Sequence, residues 1–412
     1  MTENKASSSS KPAFGVISSL VGIPFLMVLG NSILIPLLPR IRSQLVISDF
    51  EANLFITLFS IPAGITIPIL GFLSDRFGRK IILIPALITY ALGGLVSGLA
   101  PLFMANPFGV MLAGRVIQGI GAAGTAPVAM TLVGDLFTSA DRSKVLGFLE
   151  ASNGFGKVIS PILGSLVGLF MLWYTVFYIY PVIAIPVILL LAFIVKEPKS
   201  QRAKQSFKNY LSGIGETFKN KGFSLIVSFL AGMIALFILF GVLSYISDIL
   251  EERHGIVDLM KGFIIAVPVL VMTIVSLLSG IILKNGKLIY KIFVIAGMGI
   301  LTVSMVVGAF FENFIVLIVL ISLMGLGVGM VLPSLNTMVT SCTKTAKRGA
   351  VTCFYGSVRF LGVAAGPPVF SLLEKTGNLV LFLVPASIAL IIGILSIIFV
   401  DHKKMLEFQQ EQ

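Results

Sequence analysis

Charge is scarce in this chain. Asp, Glu, Lys and Arg make up 12% of its 412 residues, where a soluble domain carries about 25%, so water is not its main solvent. Histidine is nearly missing: His254 and His402 are the only two, far apart in sequence and outside any apolar run. That excludes an H-E-x-x-H metal site, and no G-x-S-x-G elbow is present either. Cysteine is limited to Cys342 and Cys353, too few for a disulfide framework or a zinc cluster; both read as free, buried thiols. No phosphate-cradling P-loop occurs. The run Gly119, Gly121, Gly124 matches G-x-G-x-x-G, but no strand precedes it, so it is a false dinucleotide fingerprint. An enzyme is not expected, nor a metal or an organic cofactor.

Long apolar runs fill the space that charge leaves. Hydrophobic residues make up 57% of the chain, and twelve stretches, from Ala13–Leu38 to Leu379–Val400, each supply the ~20 apolar residues needed to cross ~30 Å of hydrocarbon. Lipid offers backbone groups no water, so runs of this length are helices that satisfy their own hydrogen bonds. The first run is too long for a cleaved signal sequence, whose apolar region spans ~7–15 residues. The net charge of +12 suggests nucleic acid only until it is mapped. With the N-terminus placed in the cytoplasm, 22 of the 30 Lys and Arg fall in cytoplasmic segments. Only Arg40, Arg42, Arg253, Lys261 and Lys375 fall outside, and three lie within spans. That asymmetry follows the positive-inside rule and predicts a multi-pass protein of the cell membrane with both termini cytoplasmic. The expected partners are the lipid bilayer and a small solute, with no nucleic acid.

The chain repeats itself. At an offset of 206, Gly119 matches Gly325, Gly121 matches Gly327, Pro127 matches Pro333 and Arg142 matches Arg348; Gly156 matches Gly362 and Pro161 matches Pro367. The expected architecture is all-α: two related six-helix bundles, 1–195 and 223–412, joined by a basic cytoplasmic linker, 196–222. In the linker, Phe207, Tyr210, Leu211, Ile214 and Phe218 recur at helical spacing among lysines. This reads either as an amphipathic helix on the anionic inner leaflet or as a solvated connection. Parallel repeats of this kind place a substrate site between the halves near the bilayer midplane.

Between the second and third runs stands GFLSDRFGRK. Gly71 allows close helix approach, and Gly78 a tight turn. Asp75 suits a helix N-terminus, and Arg76, Arg79 and Lys80 suit pairing across a cytoplasmic mouth. This stretch resembles the loop signature of the major facilitator superfamily, G-x-L-[AS]-D-[RK]-x-G-R-[RK], at Gly71, Leu73, Ser74, Asp75, Arg76, Gly78, Arg79 and Lys80. The resemblance implies twelve helices in two bundles related by pseudo-two-fold symmetry, with these residues and Arg142 as a gating latch; the other reading is that the charges only set topology. The second-half counterpart, Gly280 to Lys287, is degraded, with Lys284 where Asp75 would be. The fourth span carries Arg115, Gln118, Gly119 and Gly121, and looks like the family signature associated with proton coupling. The fifth resembles the antiporter signature in Gly156, Ser160, Pro161 and Gly164, although Ser160 replaces the usual glycine and Lys157 is an unexpected charge.

Arg115, Lys157 and Arg359 are the cations inside spans, and Glu150 is the one clear anion. Such residues are functional by default. Glu150 and Lys157 are seven residues apart and share a helix face. Glu150, with Lys157 and Arg115, is the expected proton-coupling set; the alternative is a pairing of Glu150 with Arg142, Lys144 or Arg348. Asp248 and Asp135, at span ends, are weaker candidates. Asn31, Asn153, Lys157, Arg359 and Gln118 are the expected cavity residues. With Asn31 but no acid in the first span, the cavity reads as net positive. Taken with the resemblance, these residues imply a secondary transporter, expected to act as a monomer, that exports amphiphilic compounds by proton antiport. The alternatives are export of one endogenous anionic metabolite, siderophore or lipid, and solute uptake by proton symport.

Overall fold

A computed structural model describes residues 14–137, 139–197, 207–283, 286–311, 313–343 and 345–408. Among them are twelve helical segments long and apolar enough to cross a membrane. Spans 1 to 6 are Phe14–Leu45, Asp49–Phe77, Arg79–Phe103, Phe108–Leu136, Lys144–Phe170 and Trp173–Phe193. Spans 7 to 12 are Phe223–Glu252, Asp258–Ile282, Lys287–Gly308, Phe314–Ser341, Arg348–Glu374 and Asn378–Phe399. They form two six-helix bundles, each with its own apolar core. Ile35, Leu38 and Ile56 of the first half pack into the core of the second.

The 206-residue repeat has a packing cause. A methyl on Gly119 would collide with the Phe59 backbone of span 2, and one on Gly325 with the Pro268 backbone of span 8. Gly156 lies against Phe25 of span 1, and its repeat Gly362 against Met233 of span 7. Matching glycines thus bring matching helix pairs together, as small residues do between membrane helices.

Spans 1 and 4 are interrupted within their apolar runs. In span 1 the first helix ends at Ser32, and a short 3-10 turn, Ile35–Leu37, precedes a second helix. Pro36 and Pro39 withhold two backbone donors there, which a continuous helix would need. Span 4 breaks between Ala123 and Ala126, at Gly124 and Thr125, ahead of Pro127.

The linker forms a helix, Phe207–Lys221. Its described apolar face covers protein. Tyr210 and Ile214 are buried in a cluster with Phe72 of span 2 and Ala350 of span 11. The Tyr210 ring packs edge-on to Phe72 at 5.4 Å, and the Phe218 ring lies 6.0 Å from that of Phe354. The reading of this face as a leaflet anchor is thereby corrected: both halves offer it apolar partners. Burial holds the Tyr210 phenol well above its ordinary pKa, so it stays neutral. The side chains of Phe207, Lys208 and Leu211, and all of Lys284, lie outside the described residues.

Candidate functional site

The end of the bundles that carries the linker helix is called the linker end below, and the opposite one the far end. Residues singled out in the sequence separate into four places.

The first is the interior of the first half. Arg115 is fully buried. Its Nε donates to the Phe55 carbonyl at 2.8 Å, Nη1 to Gln118 Oε1 at 2.5 Å, and Nη2 to the Gly30 carbonyl at 2.6 Å and Asn31 Oδ1 at 3.0 Å. The Phe59 ring centroid lies 4.4 Å from the guanidinium carbon. The break in span 1 explains the position. A helix ending at Ser32 leaves its last carbonyls free and presents a partial negative charge, and Arg115 caps that end. Asn31 is buried and donates to Ser60 Oγ at 2.7 Å. Arg115, Asn31 and Gln118 therefore form one cluster, away from Lys157.

The second place lies between the halves. Lys157, Asn153 and Arg359 are half-exposed, and Glu150 and Asn336 are exposed. Polar exposure within a span indicates a wet space rather than a lipid face. The charges acting on Lys157 are those of Arg359, from span 11 of the other half, and of Glu150. The second cation beside Lys157 is thus Arg359, where depth along the helices had suggested Arg115. Arg359 Nη1 donates to Asn336 Oδ1 at 3.0 Å, and its guanidinium carbon sits 5.5 Å from the Tyr355 ring centroid. Among the described residues, no ion pair includes Lys157, Arg359 or Glu150; Glu150 is not paired with Arg142, Lys144 or Arg348. Span 5 reaches this position by its small-residue face. Gly164 lies against the Ile33 backbone, and the Ser160 hydroxyl donates to the Gly156 carbonyl. Pro161, lacking an N–H, leaves the Lys157 carbonyl without its helical donor.

The third is the loop at the linker end. Gly78 has φ +118°, a conformation that favours glycine. Arg79 pairs with Asp75 and with Asp135 of span 4, the latter at 3.3 Å, and donates to Ser74 Oγ at 2.9 Å. Lys80 Nζ donates to the Ala192 and Val195 carbonyls at 2.6 and 2.8 Å. Arg76 is exposed beside Phe77, and Arg142 fills the space left by Gly134. These bonds tie spans 2, 3, 4 and 6 of one half together. Contact with the other half comes from Gly71, which a Cβ would bring within 2.8 Å of Cys353 Sγ. Glu197, overlooked in the sequence, accepts from the Arg79 and Lys80 backbone amides at 2.6 and 3.0 Å. It is an anion on the N-terminus of span 3.

The fourth, at the far end, also went unrecognised. Ser244 donates to Asn53 Oδ1 at 2.7 Å, Ser247 to the Ile35 carbonyl at 2.8 Å, and Thr57 to the Ala364 carbonyl at 2.7 Å. Arg42 reaches both Asp49 and, across the halves, Glu252 at 2.5 Å. Asn53 and Thr57 stand four residues apart on one face of span 2, the signal that could have located this seam. Asp248 is buried beside it, within the influence of Arg42 and Lys261.

The profile of the Major Facilitator Superfamily matches residues 20–367 and 290–411. The chain belongs to this superfamily. It is 39% identical to the bacillibactin exporter of Bacillus subtilis (strain 168) over 390 residues, which cover 94% of this chain and 97% of that one. Its fold resembles that of a D-xylose-proton symporter, with a TM-score of 0.74 at 16% identity, covering 95% and 98% of the two chains. It also resembles a bacterial homologue of the human lysosomal transporter Spinster in an inward-facing, occupied conformation. There the TM-score is 0.72 at 16% identity, covering 93% and 96%. The superfamily explains the two-bundle plan and the loop signature, and makes the chain a transporter.

Proposed function

We propose that this transporter exports an endogenous anionic metabolite of the siderophore kind by alternating access, driven by proton antiport. The observation that carries this reading is the pair Lys157 and Arg359. They come from opposite halves, act on each other electrostatically, and are free of ion pairs among the described residues. Two such charges repel each other and repel a cationic solute. An anion touching both offsets that repulsion and draws the halves together. Similarity to a bacillibactin exporter over nearly the whole chain supports the same branch, ahead of the broad amphiphile efflux implied by the span-5 signature. The linker end is the cytoplasmic one on this reading, because basic residues crowd it. Glu150, exposed in the gap on the Lys157 face of span 5, is the group proposed to exchange the coupled proton.

The test uses purified protein in liposomes with an imposed pH gradient, loaded in turn with bacillibactin and the cation ethidium. Bacillibactin is expected to move only with the gradient, and Glu150→Gln to uncouple it. Transport of ethidium in preference to bacillibactin would overturn the reading.

A further inference from the structure

The halves meet along two seams, and the seams differ. Between spans 2 and 11 contact runs nearly the whole length. Thr57 donates to the Ala364 carbonyl at 2.7 Å, Ser357 donates to the Gly64 carbonyl, and a methyl on Gly71 would come within 2.8 Å of Cys353 Sγ. Steps of seven keep Thr57, Gly64 and Gly71 on one face of span 2, over about 21 Å at 1.5 Å per residue. Spans 5 and 8 begin alike at the far end. A methyl on Gly262 would strike the Pro161 carbonyl oxygen and Ser165, and one on Gly154 would strike the Thr273 methyl. Seven residues nearer the linker end on each helix stand Gly147 and Gly280. Both are exposed, and a methyl on either meets nothing within 4 Å. This seam is closed from the far end to its middle and parted at the linker end.

The linker helix lies across the closed seam. Its last residue is tied to the second half: Lys221 pairs with Glu407 and donates to the Lys404 carbonyl at 2.9 Å, and Met405 and Leu406 beside them are fully buried in the core of that half. The Phe218 ring meets Phe229 of span 7 edge-on at 5.4 Å. The other end of the helix reaches the first half, where Tyr210 and Ile214 cover Phe72 of span 2. Parting spans 2 and 11 at this end would uncover that apolar cluster; parting spans 5 and 8 further uncovers nothing at Gly147 or Gly280. We propose that the linker helix is a strap that makes the seam of spans 2 and 11 a hinge. The linker end then opens on one side, that of spans 5 and 8, where Glu150 and Lys157 stand. The hinge rests on alternating access but not on which solute is carried.

Pulsed EPR distances between paired spin labels in full-length protein test this, in lipid nanodiscs with and without bacillibactin. Cys342→Ser and Cys353→Ser clear the background. Gly147→Cys with Gly280→Cys spans the parted seam, and Phe77→Cys with Gly349→Cys spans the strapped one; all four positions are exposed. A hinge moves least what lies nearest to it, so the 147–280 distances should spread at least about twice as widely as the 77–349 distances. Tyr210→Ala should bring the 77–349 spread up to that of the other pair, and the milder Phe72→Leu should move it part of the way. Equally broad spreads in the strapped protein would refute the hinge and leave alternating access standing. Equally narrow ones, with and without bacillibactin, would refute both. A 77–349 spread unchanged by both variants would show that the linker helix is no strap.

Discussion

Arg115 and Arg359 look alike in the sequence, as single arginines within apolar spans. The structure gives them opposite surroundings. Arg115 is closed in by four oxygen acceptors and an aromatic face, all from its own half. Arg359 has one asparagine, a tyrosine ring, and a buried Nε without a hydrogen-bond partner among the described residues. A charge in a membrane span is thus no sign of function by itself. On the proposed function, the state of its hydrogen bonds separates a charge that holds the protein together from one that awaits a ligand. Replacing each arginine in turn is the sharpest way to break this comparison. Arg115→Leu should have the largest effect of any change considered. It orphans the Asn31 and Gln118 amide oxygens, at ~1–3 kcal/mol per buried group, and strips the charge-assisted bonds from the Phe55 and Gly30 carbonyls. Little folded protein should be recovered in gel filtration. Well-folded but inactive Arg115→Leu protein would place Arg115 with the transport groups and erase the distinction.

Arg359→Gln should do the reverse. It leaves one half-exposed position uncharged and breaks one side-chain bond, to Asn336. Thermal stability should stay near that of the parent, while the kcat/KM for bacillibactin export falls about tenfold or more. A large drop in Tm with a normal rate in the surviving protein would show that Arg359 is structural too.

The sequence announces these two arginines equally, and the reason is physical. Composition and run length reveal that a span contains a charge, because the energetic cost of burying it is local. Whether that cost is met depends on groups far away in the chain. Arg115 is satisfied by a helix end in span 1, 85 residues distant, that exists because of Pro36 and Pro39. Nothing near Arg115 hints at it. The spans, the two halves and the loop signature were legible because each is written in contiguous or regularly repeated residues. The Glu197 cap and the Asn53–Ser244 seam join polar residues 118 and 191 positions apart; the Asn53–Thr57 spacing marks one side of the seam, but no periodicity links either pair to its partner. The linker helix was half legible. Its amphipathic pattern predicts a buried face, but lipid and protein satisfy an apolar face equally well, and only the structure tells them apart.

Comparing the two halves through their repeated glycines gives a smaller effect. Gly119→Ala and Gly325→Ala each drive a methyl into the backbone of a neighbouring span, an overpacking of ~1–3 kcal/mol. Because the collisions are equivalent by repeat, the two variants should lower Tm by similar amounts. Their effects should add in the double variant, since the sites belong to separate cores. Strong asymmetry would mean that the repeat survives in the sequence without the same packing in both halves.

The smallest effect is expected where the charge is most visible. The far end carries one ion pair across the halves, Arg42–Glu252, with side chains 25% and 48% exposed. Exposed pairs contribute ~0–1 kcal/mol, and Arg42 keeps Asp49 when Glu252 is neutralised. The Ser244–Asn53 and Ser247–Ile35 bonds are buried and join span 7 to spans 2 and 1. Breaking the first leaves Asn53 Oδ1 dry, at ~1–3 kcal/mol. Glu252→Gln should therefore change the closed population less than about fivefold, and Ser244→Ala should change it more. Spin labels at Val46 and Val257, exposed at the far ends of the two halves, read the separation in a background lacking both native cysteines. If Glu252→Gln spread the labels further apart than Ser244→Ala, the far end would be held by its ion pair, and burial would be the wrong measure of what keeps the halves together.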